Sequence, residues 1–315
     1  MLRYIRCYNQ LIILKKWDEI LKKELRKSFV NARFLIIVLM EGVIAILHSY
    51  HKVSEYITFK NNLEIILKRN KMCINPYSLI YNAYSSWIGC DKDSIYAKVL
   101  FYIFPLCASI TYSWSFICDY KKGYYFSACK KYGKHNYHLY KYIAVFLSSG
   151  SIAAIPLLLN FFSITLFIPL VSPDSVYDIY YGIFSGEFMA ELYYNTPLAY
   201  LLIFILLCFI YNGLFGCLSY TISIYIKNAA VSISLPYLIL ICVELLKSRI
   251  TQNTNTFIIN FSPLSFLYAA KSHNANLLVV LVIMITIFGI TFYFSVSRYL
   301  DIHAIRPFKI RRFLK

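Results

Sequence analysis

Glu41 is the only carboxylate well inside a long apolar run of this chain. A charge at mid-membrane depth costs roughly 3 kcal/mol or more, so such a group pairs, faces a polar cavity or takes up a proton. Asn160 and Asn212, each inside another apolar run, are the candidate partners. Two readings stay open for Glu41: a hydrogen bond that holds helices together, or a polar group on a transport path. Asp91 and Asp93 lie near the start of the second run, where a pair of acids could serve glycosyl transfer, but two loop acids prove little. His135 and His138 stand i, i+3 near Cys129; a solvated helix face explains them better than a ligand set, so no metal is expected. Cys73 and Cys90 share one loop, and a disulfide or two free thiols are equally open there.

Motifs for other chemistry are missing. The chain has no H-E-x-x-H, no G-x-S-x-G and no G-x-x-x-x-G-K-[ST]. The expectation is a protein that is not an enzyme, carries no cofactor of its own and cannot cradle a nucleotide phosphate. The densest polar stretch is Asp119 to Tyr142, DYKKGYYFSACKKYGKHNYHLYKY, with six lysines, two histidines and seven tyrosines between two apolar runs.

The elements that must position these residues follow from the apolar runs. The 315 residues are 59% hydrophobic with a mean hydropathy of +0.57, too apolar for an ordinary soluble domain. Stretches free of Asp, Glu, Lys and Arg run over Val99–Cys118, Tyr142–Pro173, Leu192–Ile226 and Ser272–Ser297. Each is long enough to cross a hydrocarbon core of roughly 30 Å as a helix. Phe34–Tyr50, interrupted by Glu41, and Asn228–Val243 add two more. The expected fold is all-α: a polytopic membrane protein of six transmembrane helices. In 11–33, Leu11, Leu14, Trp17, Ile20, Leu21, Leu25 and Phe29 recur at helical spacing with Lys and Arg opposite, which predicts an amphipathic helix in the interface with its apolar side in lipid. Small residues Gly213, Gly216 and Ser219 offer close helix packing, within the subunit or between subunits.

The organisation expected is a cytoplasmic segment 1–33, a six-span unit 34–299 and a basic tail 300–315. The loop 51–98 is long enough to carry some folded structure. No cleavable export signal is visible, and the first span is expected to act as an uncleaved one. The net charge of +17 raises nucleic acid as a partner, but its distribution argues for topology. Of the 32 Lys and Arg residues, 22 fall in 1–33, in 119–142, at Lys227 and after residue 297, against 10 in the alternate loops. This bias places both termini in the cytoplasm of a cell membrane and draws the basic side to anionic lipid. Richness in Lys, Ile, Asn and Tyr fits an AT-rich bacterial genome.

An amphipathic helix ending ELRKSFVNARFLI and followed by six spans resembles the permease subunits of ABC-2 type exporters. The family pattern after the second span is an acid, a Gly four residues later, a basic residue, then Tyr and Lys opening the next span. Here it reads Asp119, Gly123, Lys130, Tyr137 and Lys141. A Ser-Pro motif before the last span reads Ser262 and Pro263 in NFSPLSFL. The likeness covers roughly residues 20 to 300; an N-terminal extension and the long first loop depart from it. It implies a permease forming the substrate pathway with a second permease subunit, identical or paralogous. It also implies that 119–142 docks on a separate ABC ATPase subunit, which binds the ATP. Tyr124, Tyr125, Phe126 and Cys129 would enter a groove, with Lys130, Lys131 and Lys134 around them. Without the resemblance, the same stretch reads as a lipid-facing basic loop. Two rival readings are an ATPase-independent secondary carrier using Glu41 and a nontransporting immunity or sensor protein. The substrate is left open, with peptide export or immunity as the favourite.

Overall fold

The computed structural model describes residues 19–70, 81–181, 183–184, 188–254, 262–269 and 276–297. The fold is all-α, without strands among the described residues, and six of its helices are long and apolar enough to cross a membrane. Helix α1 covers 19–29. It breaks at Val30 and Asn31, and the Asn31 side chain then accepts from Arg33 N at 3.2 Å to start α2, Ala32–Asn70. The second run divides into α3, Ile95–Thr111, and α4, Ser115–Lys121. Next come α5, Tyr124–Tyr132, and α6, Lys134–Thr165. A 3-10 turn at Ser175–Tyr177 and two short helices, α7 Asp178–Tyr181 and α8 Ala190–Asn195, lead to α9, Pro197–Tyr225. A tight turn joins α9 to α10, Ala229–Thr254; α11, Pro263–Phe266, and α12, Leu277–Ser295, complete the order.

One difference from expectation is the loop 51–98. Its first part is not a loop: α2 continues through Asn70, and its 39 residues are about 58 Å long, nearly twice the apolar thickness. Nothing between Gly42 and Pro76 breaks a helix. Glu55 also supports this half, meeting Lys52 at 3.0 Å and His51 at 3.4 Å from the preceding turn. Residues 71–80 lie outside the described residues; 81–94, ahead of α3, is non-helical but packed into the bundle.

The centre of the fold is the α6–α9 pair. Gly150 faces the backbone of Phe209, and Gly213 faces that of Phe146; a Cβ at either would lie 2.6 or 2.8 Å from a carbonyl oxygen. These glycines let two backbones meet, as the small-residue pattern anticipated, and Gly213 and Gly216 are used within the subunit. Hydroxyls bind α3 to the pair. Ser149 Oγ donates to Ala108 O at 2.9 Å, Ser219 Oγ donates to Ser109 Oγ at 2.8 Å and Ser223 Oγ donates to Ser113 O at 3.2 Å. Helices α10 and α12 are peripheral: only 17% of each span is buried inside the molecule, against 67% for α9.

Candidate coupling site

The loop 119–142 is folded as the end of α4, all of α5 and the start of α6. Gly123 (φ +74°) and Gly133 (φ +87°) make the two reversals in a region that L side chains rarely adopt. Behind them lies a buried charge cluster. Asp119 accepts from Tyr137 Oη at 2.8 Å and from Lys141 Nζ, and Lys141 Nζ also donates to Tyr137 Oη at 3.0 Å. Tyr137 and Lys141 reach the same acid because they are one turn apart on α6. From α1, Glu24 accepts from Tyr112 Oη at 2.7 Å, pairs with Lys27 at 3.2 Å and lies 3.9 Å from Lys141 Nζ. Lys141 is fully buried and Glu24 is 1% exposed. Two carboxylates and two ammonium groups thus balance, which burial of charge requires. Burial alone would lower Lys27, but the Glu24 and Asp119 carboxylates outweigh it and hold its ammonium above the ordinary lysine value.

Five residues of the resembling pattern are therefore split in role. Asp119, Tyr137 and Lys141 converge in the cluster, Gly123 turns the chain, and Lys130 is exposed. The expected row of docking aromatics needs correction. Tyr125 turns inward, its ring edge-on to Phe116 at 5.4 Å and to Tyr137 at 5.3 Å. Tyr124 is covered from α1 by Lys27, 4.2 Å from its ring centre, and by Lys23 at 5.1 Å. Cys129 is half-buried, and burial pushes its thiol up. Phe126 is the aromatic left outside, 53% exposed, with Lys130, Lys131 and Lys134 exposed nearby in sequence. The reason is that a nine-residue helix spends one face on packing; positions 124, 125, 128 and 132 take that face and leave 126 and 130 outward.

Glu41 is not paired with either expected asparagine. It is fully buried, and the one group among the described residues that reaches its carboxylate is the Cys107 thiol, a weak donor. Asn160 instead donates to Ala45 O at 2.9 Å and Ser49 Oγ at 2.9 Å, contacts His48 Nδ1 at 3.0 Å, and accepts from Ile88 N at 2.9 Å. Asn212 donates to Cys208 O of its own helix at 2.9 Å. Ser262 is buried and donates to Glu244, while Pro263 starts α11. Cys90 is a free, buried thiol; Cys73 lies outside the described residues. His138 meets Tyr220 Oη at 2.8 Å and His135 meets Val296 O at 3.3 Å, and no group able to hold a metal exists among the described residues.

Sequence reasoning missed Glu24. Of the apolar positions expected, α1 buries Ile20 but only half-buries Leu21, Leu25 and Phe29; Glu24 and Ser28, each one turn further on, are the other buried positions. The face given to lipid is instead only partly covered, with Leu25 packed against the protein. An acid four residues apart from two buried positions is the signal that was there to read. The chain matches no protein-family model, no curated protein and no solved structure.

Proposed function

We propose that the chain is the permease subunit of an ATP-driven exporter of the ABC-2 type, which docks on a separate ATPase through the outward face of α5. The observation that carries this reading is the division of labour in the coupling segment. Its buried half ties α1, α4 and α6 into one charge cluster, and its exposed half presents Phe126, 53% exposed and packed on its inner side against Tyr120 and Tyr125, beside exposed lysines. An aromatic anchor with a charged rim is what an interface uses. A push on α5 reaches α4 through the Gly123 turn, and α6 and α1 through Asp119, Lys141 and Glu24. Separating a buried ion pair costs about 3–5 kcal/mol when one partner is lost, so the cluster moves as a unit. ATP drives the cycle only as far as the ATPase prefers one arrangement of this unit over the other.

In this reading the basic face is cytoplasmic, the membrane is the bacterial cell membrane, and a second permease subunit completes the pathway. The test is affinity purification of the tagged chain from its native cell in mild detergent, with partners identified by mass. Recovery of a P-loop ATPase near one-to-one supports the reading; its reproducible absence from intact, monodisperse protein counts against it. The rival carrier reading draws on one feature, the buried Glu41, which no cation or amide among the described residues faces. It requires that Glu41→Gln abolish the pH dependence of transport, and transport unchanged at every pH would end it.

A further inference from the structure

The end of the bundle opposite α5 is covered by a segment unlike the rest of the fold. Residues 81–94 form no helix, yet Ala83, Trp87, Ile88 and Cys90 are buried. Irregular backbone inside a membrane protein must find hydrogen bonds, and here they come partly from turns within the segment, such as Ser86 N to Asn82 O at 3.0 Å and Cys90 N to Trp87 O at 2.9 Å, and partly from the surrounding elements. Ala83 N donates to Pro169 O at 3.0 Å, Trp87 Nε1 donates to Leu157 O at 3.2 Å and Ile88 N donates to Asn160 Oδ1 at 2.9 Å.

The segment's charged fastening is Asp91. The Asp91 carboxylate meets Lys52 Nζ at 2.9 Å and His48 Nε2 at 3.0 Å, both from α2. It also accepts from Asp93 N and Ser94 N at 3.3 Å, and Tyr268 Oη, from the residues after α11, donates to the Asp91 carbonyl. Burial alone would raise Asp91, but the His48 contact and the Lys52 charge outweigh it and hold the carboxyl well below the usual range. A cavity of about 430 Å³, lined by Lys52, Glu55, Asp91, Asp93 and Ser94 among others, opens onto this ion pair. Water therefore has a route to the fastening. At the other end, α3, α6 and α9 are joined by buried hydroxyls and backbone contact.

We infer that residues 81–94 are a gate across this end of the bundle, with the Asp91 ion pair as its bolt. Opening hydrates the Asp91 contacts and lifts Trp87, Ile88 and Cys90 out of the apolar core they share with α3, α6 and α9, while the glycine contacts between α6 and α9 stay in place. The inference takes its role, release of a transported substrate on this side, from the export reading; its physical content does not depend on an ATPase.

Cys90 is a built-in reporter. Its thiol is 3% exposed, and burial pushes it up, so a water-soluble maleimide reaches it only when the segment lifts. The experiment is maleimide labelling of the purified full chain in detergent, in a Cys73→Ser background, with each labelled cysteine read by mass. Cys107, Cys208 and Cys217, buried in the bundle, are internal controls. Asp91→Asn should raise the Cys90 labelling rate by about ten-fold or more while the three controls stay slow. Lys52→Gln and Tyr268→Phe, which remove one contact each, should give smaller rises and decide the matter if Asp91→Asn does not fold. Equal Cys90 rates in the folded variants and parent would overturn the gate. A rise at all four cysteines together would also overturn it, because Asp91 would then hold the whole fold. Loss of ATPase association would leave these rates untouched, so the two proposals fail separately.

Discussion

Lys141 is held at the fully buried junction of Glu24 and Asp119. Lys141→Met leaves both acids facing an apolar side chain, and about 3–5 kcal/mol of stability should be lost. A thermal melt in detergent measures this, and adding Asp119→Asn should recover part of the loss, because one uncompensated charge goes. Asp91 makes a pH prediction of definite sign. Its folded value is depressed, so its contribution is complete above the unfolded carboxylate value of about 3.9 and is lost only as pH falls through the folded value. The stability gap between the parent and Asp91→Asn should be flat from neutral pH to about pH 5 and narrow below about pH 4. A gap that closes already near pH 6 would show that another group governs this junction.

Glycine sorts by element. Gly150 and Gly213 lie where α6 and α9 backbones touch, and a Cβ at either would overlap a carbonyl oxygen and a Phe ring. Gly150→Ala or Gly213→Ala should therefore cost about 1–3 kcal/mol. Gly42 in α2 and Gly289 in α12 have nothing within 4 Å of an added Cβ, so alanine there should be neutral or stabilise by up to about 1 kcal/mol. Melting temperatures of the four variants, compared in one detergent, test the packing of these helices; equal losses at all four would refute it. Gly123 is a third case: space is open, but its φ of +74° makes Gly123→Ala cost about 1–2 kcal/mol and should tilt α5 against α4.

The whole molecule separates stability from association. Phe126 and Lys130 are exposed, so Phe126→Ser with Lys130→Glu should leave the melt unchanged and abolish ATPase recovery. Asp119→Asn should lower both, since it loosens the strut behind the docking face. A double variant that keeps its ATPase would move docking away from α5. The peripheral α10 and α12 leave most of their apolar surface unburied by the chain itself.

The chain by itself determined that six helices cross a membrane. An apolar run of about 20 residues has no other stable form in lipid, so composition decides that much before any contact forms. The resemblance to ABC-2 permeases, not a local feature, singled out Asp119, Gly123, Lys130, Tyr137 and Lys141. The chain alone did not reveal that Glu24 completes the cluster of Asp119, Tyr137 and Lys141, 117 positions from Lys141 on an unrelated helix. Nor did it assign Asn160 to His48 and Ile88 rather than to Glu41. Every buried polar group must find a partner, but which one it finds depends on how the helices are rotated and how far each is displaced along the bundle. Packing across the α6–α9 glycines and the α3 hydroxyls sets those rotations, and the tertiary structure alone decides it.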